Sequence, residues 1–557
     1  MAQTELDRKF DATFAAITGP GGQVILDKDA NGRTIVGNFP ATLPMFFKTF
    51  CTLSGPVEAV IAGDERLTFG QLDALSDRLA KGLVRGGIAK GDRVAIAMRN
   101  CPSWILAYMG AAKAGAVVTL INGWWQVEEL AHALDMTDPK LTFADEGRAK
   151  RIAATGTAHP VSTIDIERPL EQAFENFLEL GDQGADLPEI TPDDDETILF
   201  TSGSTGLAKG AVSTHRAVTT AVYAYATSLM TLKAILISEG RPPVNPLKTL
   251  LNVPLFHVTG EVPVMLNSFV ISRGMVIMPK WDAGEALRLI EKEKITYFVG
   301  VPTMSLELMN HPDRDHYDLS SLTDIAAGGA PRPISHVKRL EESFPDAKPA
   351  LGYGLTETNA VGCGNFWGNY TAKPASTGRA QPGFVELAIL GSGNAHLPTG
   401  EVGEIAIRSA ANIRGYWKND AATADGFTAD GFFRSGDVGY IDEDGYLFIV
   451  DRMKDIIIRG GENISAAEVE AAIYGCPAVA EAAVIGVPDE RLGEVPLAII
   501  VRRDDSNPTE EELRQFLEGR LASFKVPERF LFSADPLPRL GTGKIDRVTL
   551  KKQFAQP

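Results

Sequence analysis

Phe200-Thr201-Ser202-Gly203-Ser204-Thr205-Gly206-Leu207-Ala208-Lys209-Gly210 is the stretch around which this chain is organised. It continues a short apolar run, Thr197-Ile198-Leu199-Phe200, that reads as a strand delivering the chain into a loop. Glycines let a backbone take positive φ and come close to a ligand. Successive amides in such a turn form an anion-binding nest, and the hydroxyls and Lys209 add donors for phosphate oxygens. A plain Gly/Ser surface turn shares the composition. It does not need the entering strand, the hydroxyls, the glycines and the lysine together. Nor is this a Walker A loop, which requires Gly-x-x-x-x-Gly-Lys-[Ser/Thr]. Lys209 is preceded by Ala208 and followed by Gly210, which weakens a kinase or GTPase reading.

At 557 residues the chain is too long for one ordinary core and should divide into at least two domains. Its apolar and charged fractions are those of a globular protein. A formal net charge of −18 argues against a nucleic-acid partner and favours solubility. Cys51, Cys101, Cys363 and Cys476 are scattered with no CxxC pair, which excludes a zinc ribbon or disulfide framework and suits a reducing compartment. The N-terminus lacks a signal-peptide pattern. The longest apolar region, 104–121, is interrupted by Lys113 and by glycines, so it reads as a buried helix leading into a strand rather than a transmembrane segment. The C-terminus is not a peroxisomal address. A cytoplasmic enzyme is expected, with a homodimer an open alternative to a monomer.

Residues 1 to about 65 read as irregular, with turns at 19–22 and a helix near 44–51. Thr68 is the N-cap of an amphipathic helix carrying Leu72, Leu75, Leu79 and Leu83. A strand over 93–98, a helix over 104–114 and a strand over 116–121 follow, the rhythm of a parallel layered α/β sheet. The rhythm resumes after the loop, with strands over 250–254, 274–278 and 297–301 and helices over 262–272 and 283–293. From Gly383 the texture becomes short strands and turns, a smaller β-rich subdomain. A charged stretch at 452–454 marks a boundary. Beyond it come a helix over 466–474, strands near 479–487 and 497–502, and a helix over 510–521.

Several later stretches could carry chemistry. Ala327-Gly328-Gly329-Ala330-Pro331 is a Gly-rich turn after a strand, a weak signal alone. Gly352-Tyr353-Gly354-Leu355-Thr356-Glu357-Thr358 offers an aromatic face for a purine, a hydroxyl for phosphate and a carboxylate for a hard cation. Phe433-Arg434-Ser435-Gly436-Asp437-Val438-Gly439 carries a carboxylate on a tight turn, able to accept from both hydroxyls of a ribose; an Asp beside Gly is more often only a turn former. Gly460 and Gly461 permit close approach by a narrow chain. Lys544, within Pro538-Arg539-Leu540-Gly541-Thr542-Gly543-Lys544-Ile545-Asp546-Arg547, is in isolation a solvated charge on a Gly loop.

Taken in order, over roughly residues 67–547, these motifs and Pro254-Leu255-Phe256-His257 resemble the adenylate-forming superfamily: acyl-CoA synthetases, peptide-synthetase adenylation domains and beetle luciferases. The resemblance implies an α/β fold with a large N-terminal AMP-binding (adenylation) domain over 1–451, containing the β-rich part. A hinge at 452–454 and a small mobile C-terminal α+β lid over 455–557 complete it. It implies ATP, Mg²⁺ and CoA as cofactors. Thr201, Ser202, Gly203, Ser204, Thr205, Gly206 and Lys209 would hold the phosphates. Gly329, Ala330 and Pro331 would lie along adenine, with Tyr353 stacked on it beside Gly354. Thr356 would contact the α-phosphate, Glu357 would hold the metal, and Asp437 the ribose. Arg452 would reach ribose and phosphate, with Lys454 at the pivot. Gly460, Gly461 and Glu462 would line the pantetheine tunnel. Lys544 would be the adenylation lysine and His257 would border the acyl pocket.

An acyl-CoA synthetase is therefore expected. The runner-up is a free-standing adenylation enzyme loading a carrier protein; amino-acid-specific members usually have Asp where this chain has His257, and no carrier domain follows Lys544. A catalytically dead nucleotide sensor is disfavoured by retention of Lys209, Glu357, Asp437, Arg452 and Lys544 together. The pocket candidates 258–261, 299–303, Gly328, Gly329 and Gly354 include no Arg or Lys to pair a second carboxylate. That favours a hydrophobic monocarboxylic acid, alkyl or aryl. Asn122-Gly123-Trp124-Trp125 is similar to a segment of fatty-acid-type members. Glu261 would need a partner if buried, or would point into a surface turn.

Overall fold

Alternating helix and strand periods build two large sheets before Arg452 and a separate one after it. The computed structural model describes residues 4–201, 208–328, 332, 334–453, 455–459, 462–503, 506–518, 520–539 and 545–554. The first sheet has seven strands, of which Asp195–Thr201, Val117–Leu120, Arg93–Ala97, Leu141–Asp145 and Val161–Ile164 run parallel. The inner ones are near-continuous apolar runs, as strands covered on both faces must be. The helix Phe69–Arg85 begins at Thr68 in a capping box: Gln71 N–H donates to Thr68 Oγ1 at 3.2 Å, and Thr68 N–H to Gln71 Oε1 at 2.9 Å. The helix Pro102–Lys113 is buried throughout, including Lys113. That ammonium is neutralised by Asp73 at 2.7 Å and Asp77 at 2.6 Å, so the charge that interrupts the apolar region belongs to a core ion pair.

The second sheet has thirteen strands. Its centre is parallel: Glu58–Ala62, Gly274–Ile277, Lys248–Leu251, Tyr297–Gly300, Asp324–Ala327 and Lys348–Gly354. Beyond Lys348–Gly354 the pairing turns antiparallel through Gly362–Phe366 and Gly378–Ala380 to Tyr446–Arg452, Phe433–Ile441, Gly403–Arg408 and Glu386–Leu390. The β-rich texture after Gly383 thus carries on this sheet's hydrogen bonding. The C-terminal sheet of five strands runs from Ile456–Arg459 to Arg529–Ser533, with the helices Ala466–Tyr474 and Glu510–Glu518 alongside.

Two expectations are corrected. The first residues are not irregular: Glu5–Thr18 is a helix capped by Thr4, whose Oγ1 accepts from Asp7 N–H at 3.0 Å. Its apolar signal is thin, since Phe10 and Phe14 alone among its apolar residues are buried. Distant partners fix it instead, Tyr446 Oη and Asn369 Nδ2 each donating to Asp7 at 3.0 Å. The helix predicted over 262–272 begins earlier, as a π-helix over Gly260–Leu266 that continues into Asn267–Val270. Pro263 inside it has no N–H for a regular ladder, and a wider turn accommodates that loss. Among the described residues one helix, His215–Ser238, is long and apolar enough to cross a membrane, and most of it is buried inside the protein.

Candidate active site

The organising stretch closes a hairpin. Asp195–Thr201 pairs antiparallel with Lys209–Thr214, and Thr201 and Lys209 are Cα partners at the end next to the loop. A strand, not a helix, follows the loop, which sets it apart from a Walker A unit. Residues 202–207 lie outside the described residues. So do the predicted site residues Gly329, Ala330, Pro331, Lys454, Gly460, Gly461 and Lys544.

Lys209 Nζ stands 4.9 Å from the ring centroid of Tyr416, whose strand Gly415–Tyr416 pairs with the hairpin. Tyr416 Oη in turn donates to Glu357 Oε1 at 2.8 Å. Lysine, phenol and carboxylate therefore form one connected group. Burial pushes the Glu357 carboxyl up, against the opposing pull of the Tyr416 hydrogen bond and of the Lys209 and Arg452 charges. Tyr416 is pushed up by burial and then by Glu357. Among the described residues no cluster of three or more metal-ligating side chains occurs. Glu357 is a half-buried carboxylate whose charged form burial disfavours, which fits one ligand of a hard cation whose other ligands come from phosphates and water.

A second group lies on the neighbouring strands. Tyr353 Oη donates to Asp437 Oδ2 at 2.7 Å, and Arg452 Nε lies 3.1 Å from Asp437 Oδ1. Asp437 and Arg452 face each other because Phe433–Ile441 and Tyr446–Arg452 pair antiparallel with these two as Cα partners. Asp437 is buried while Arg452 is half exposed. Both oxygens of the candidate ribose ligand are engaged, leaving its remaining lone pairs for further donors. Gly354 sits where a Cβ would come within 2.0 Å of Ala360 O, so the position admits no side chain. Thr356 and Glu357 occupy a short 3₁₀ turn, followed by Asn359 and Ala360 at φ of 50° and 66°. Two successive left-handed residues are strained, and Asn359 is held there by Ser213 Oγ at 3.0 Å and by its own bond to Ala411 O at 2.8 Å.

These groups open into one cleft of about 2970 Å³, lined also by Thr201, His257, Val258, Gly328 and Val299. His257 packs its ring at 4.7 Å from that of Phe256 and 6.4 Å from that of Trp124, as a pocket wall would. Glu462 stands apart, exposed on Glu462–Ser465 of the C-terminal sheet opposite Arg459. Glu261 does not line the cleft and does not face a surface turn. It is wholly buried, with Oε1 accepting from Tyr108 Oη at 2.8 Å, and Tyr108 Oη also lies 3.2 Å from Glu196 Oε2. One phenol proton cannot serve two carboxylates, so a carboxyl proton is required as well. Burial accordingly pushes Glu261 up to about 8 and raises Glu196 too. Sequence reasoning missed Tyr416, the bridge between Lys209 and Glu357. Its only local signal is an aromatic residue after Gly415, which is indistinguishable from a turn.

Residues 47–417 match the family model described as AMP-binding enzyme, and residues 468–544 the model described as AMP-binding enzyme C-terminal domain. The chain is 35% identical over 503 residues to a feruloyl-CoA synthase of an Amycolatopsis species, covering 90% of this chain and 97% of that one. It is 34% identical over 511 residues to a long-chain-fatty-acid–CoA ligase of Mycobacterium tuberculosis, again covering 90% and 97%. Among solved structures, ATP-bound MatB from Rhodopseudomonas palustris superposes with a TM-score of 0.80 at 27% identity, covering 92% of this chain and 99% of that one.

Proposed function

The chain belongs to the AMP-binding enzymes, in their adenylate-forming acyl-CoA synthetase branch, and on that premise we propose which acid it takes and how its residues divide the work. It is an ATP-dependent acyl-CoA synthetase, an AMP-forming acid–thiol ligase whose substrates are a carboxylic acid, ATP and CoA. The acid is a hydrophobic monocarboxylic one, alkyl or aryl. The apolar and small residues of the cleft near the strained turn support this, as do relatives named for feruloyl and long-chain fatty acyl groups.

In the first half-reaction a carboxylate oxygen attacks the α-phosphorus of ATP, the bond to the β-phosphate oxygen breaks, and acyl-AMP and pyrophosphate result. Lys209 and the donors of the 202–207 loop hold the departing pyrophosphate, and Thr356 meets the α-phosphate. A magnesium ion held by Glu357 and the phosphates would neutralise their charge. Tyr353, Asp437 and Arg452 hold the nucleoside, with Gly329, Ala330 and Pro331 along the base. Lys544 steadies the attacking carboxylate. In the second half-reaction the CoA sulfur attacks the acyl carbonyl and AMP leaves, the pantetheine arm passing Gly460, Gly461 and Glu462. A hinge at 452–454 separates the domain of residues 1–451 from the lid of residues 455–557. Four free cysteines, three of them buried, support a reducing, cytoplasmic setting.

One observation carries this reading: Lys209, Tyr416 and Glu357 are linked, and Tyr353, Asp437 and Arg452 are linked beside them on one cleft. The test is pyrophosphate release by the purified full chain given ATP, Mg²⁺ and a panel of alkyl and aryl acids, followed by thioester formation on adding CoA. Pyrophosphate without any CoA-dependent thioester would favour carrier loading. No pyrophosphate with any acid overturns the activity.

A further inference from the structure

We propose that the acid activated here carries a hydrogen-bond-accepting oxygen at its far end, received by Lys348 and Tyr297: a keto group within the monocarboxylic class, or a second carboxylate, which would replace that class. This rests on the reading of the cleft as the acyl site.

The cleft continues from Gly328 and Gly352 down one face of three parallel strands. Strand alternation sends Phe298 and Ile325 to the opposite face, into the core beneath the helix Ala283–Glu293. On the cleft side the residues fall into registered rows. Tyr297, Asp324 and Lys348 form the row farthest from the strained turn, and Val299, Ala326 and Ala350 the next. The row ending in Gly328 and Gly352 lies nearest the turn. The opposite wall is the helix His215–Ser238, which lines the cleft with Ser228, Leu232 and Leu236, four residues apart along one face. On the strand side, an apolar row of Val299, Ala326 and Ala350 therefore gives way to a polar one.

In that row the Lys348 ammonium and the Tyr297 phenol are donors that the one acceptor, Asp324, does not serve. Lys348 Nζ stands 4.2 Å from the ring centroid of Trp367, and among the described residues Asp324 and Glu239 act on it through charge alone, with no ion pair or hydrogen bond. Burial holds its ammonium below the usual lysine range; Asp324 and Glu239 oppose that shift and Arg241 adds to it. Asp324 does not serve as its partner. Asp324 accepts from Trp367 Nε1 at 3.1 Å and from Thr323 Oγ1 at 2.8 Å. Tyr297 Oη makes no hydrogen bond to another described residue; Arg273 covers its ring at 4.8 Å and gives its own N–H groups to Ser268 Oγ, Pro263 O and Val264 O. An alkyl terminus would leave the ammonium and the phenol facing methylene, whereas an oxygen acceptor satisfies both.

The spacing sets the length. Four residues of strand, from Asp324 to Gly328, span about 13 Å at roughly 3.3 Å per residue. An extended chain advances about 1.2 Å per bond, so a chain of about eleven to twelve carbons joins the two ends.

The experiment compares kcat/KM for acyl-CoA formation by the full chain with dodecanoic, 11-oxododecanoic and dodecanedioic acids. Either oxygenated acid should exceed dodecanoic acid by about tenfold, as one hydrogen bond to a charged group provides. Which of the two leads tells whether a carbonyl or a carboxylate is received. Lys348→Met should lower kcat/KM for the oxygenated acids about tenfold more than for dodecanoic acid, and Lys348→Arg should restore part of the difference. Tyr297→Phe, which removes one oxygen only, should narrow the preference too. The proposal is overturned if dodecanoic acid matches or exceeds both oxygenated acids, or if both variants depress all three acids in the same proportion. Normal turnover of dodecanoic acid in that case leaves the acyl-CoA synthetase reading standing. Absence of pyrophosphate with every acid overturns both together.

Discussion

Asp437 is the residue on which the proposed nucleoside half of the site would converge, since Tyr353 and Arg452 both reach it. A preset carboxylate of this kind offers its free lone pairs in a fixed direction, the arrangement that two vicinal hydroxyls require. Asp437→Asn should raise the KM for ATP by about tenfold or more with a smaller effect on the KM for the acid, measured by steady-state pyrophosphate release. Equal effects on both constants would assign Asp437 to general stability instead. On the phosphate side, Lys209→Ala should slow adenylation by about 10²–10³, the usual consequence of removing one positioned donor. Unchanged pyrophosphate release from a folded variant would remove the hairpin lysine from the mechanism. Tyr416→Phe should slow the same step less, because it loosens Glu357 without removing a charge.

At the scale of elements, the π-helix Gly260–Leu266, the helix Pro102–Lys113 and the strand Asp195–Thr201 meet at Glu261, Tyr108 and Glu196. The strand leads to the hairpin that carries Lys209 and the π-helix follows directly on the His257 turn, so this buried contact ties two walls of the cleft together. Burial penalises the charged form of Glu261 and pushes its carboxyl up from an ordinary 4.5 to about 8 in the folded chain. Between those values the folded state binds more protons than the unfolded one, so the contribution is full below about pH 4.5 and is lost as pH rises through about 8. Glu261→Gln keeps an amide for Tyr108 and cannot ionise. Its Tm should therefore fall less than that of the parent between about pH 5 and about pH 8. Parallel Tm profiles would show that Glu261 is ionised throughout.

For the whole molecule, the prediction concerns two half-reactions and one small domain. Lys544 and the Gly460-Gly461 loop belong to the same C-terminal region, yet each resembles a motif for a different step, and both cannot occupy one reaction centre together. A swing about Lys454 would let each loop take its turn, and closures of this kind commonly assemble a site stepwise. Lys544→Ala should abolish acyl-AMP formation while sparing thioester formation from supplied acyl-AMP and CoA. Gly461→Leu should do the reverse by obstructing a narrow passage. Lys454→Pro, by stiffening the pivot, should suppress the second step most. Stopped-flow measurement of the separate steps decides it: equal impairment of both by Lys544→Ala and by Gly461→Leu in folded protein sinks the alternation.

What the sequence by itself determined is what local chemistry determines. Thr68 with Gln71 starts its helix and the helix Ala283–Glu293 ends where its apolar spacing stops. The ordered motifs resemble those of the adenylate-forming family, and that resemblance, not any one motif's chemistry, carried the reading that the family models bear out. The tertiary structure alone decided contacts between residues far apart in the chain. The helix Glu5–Thr18 is fixed by Tyr446, Glu357 is joined to Lys209 through Tyr416, and Glu261 is buried against Tyr108. It also set the row of Tyr297, Asp324 and Lys348, invisible in sequence because the pocket candidates near 299–303 and Gly328 sit on the same strands but at the other end. Strand register and helix packing place side chains by the summed burial of the whole core, and no local window of sequence contains that sum.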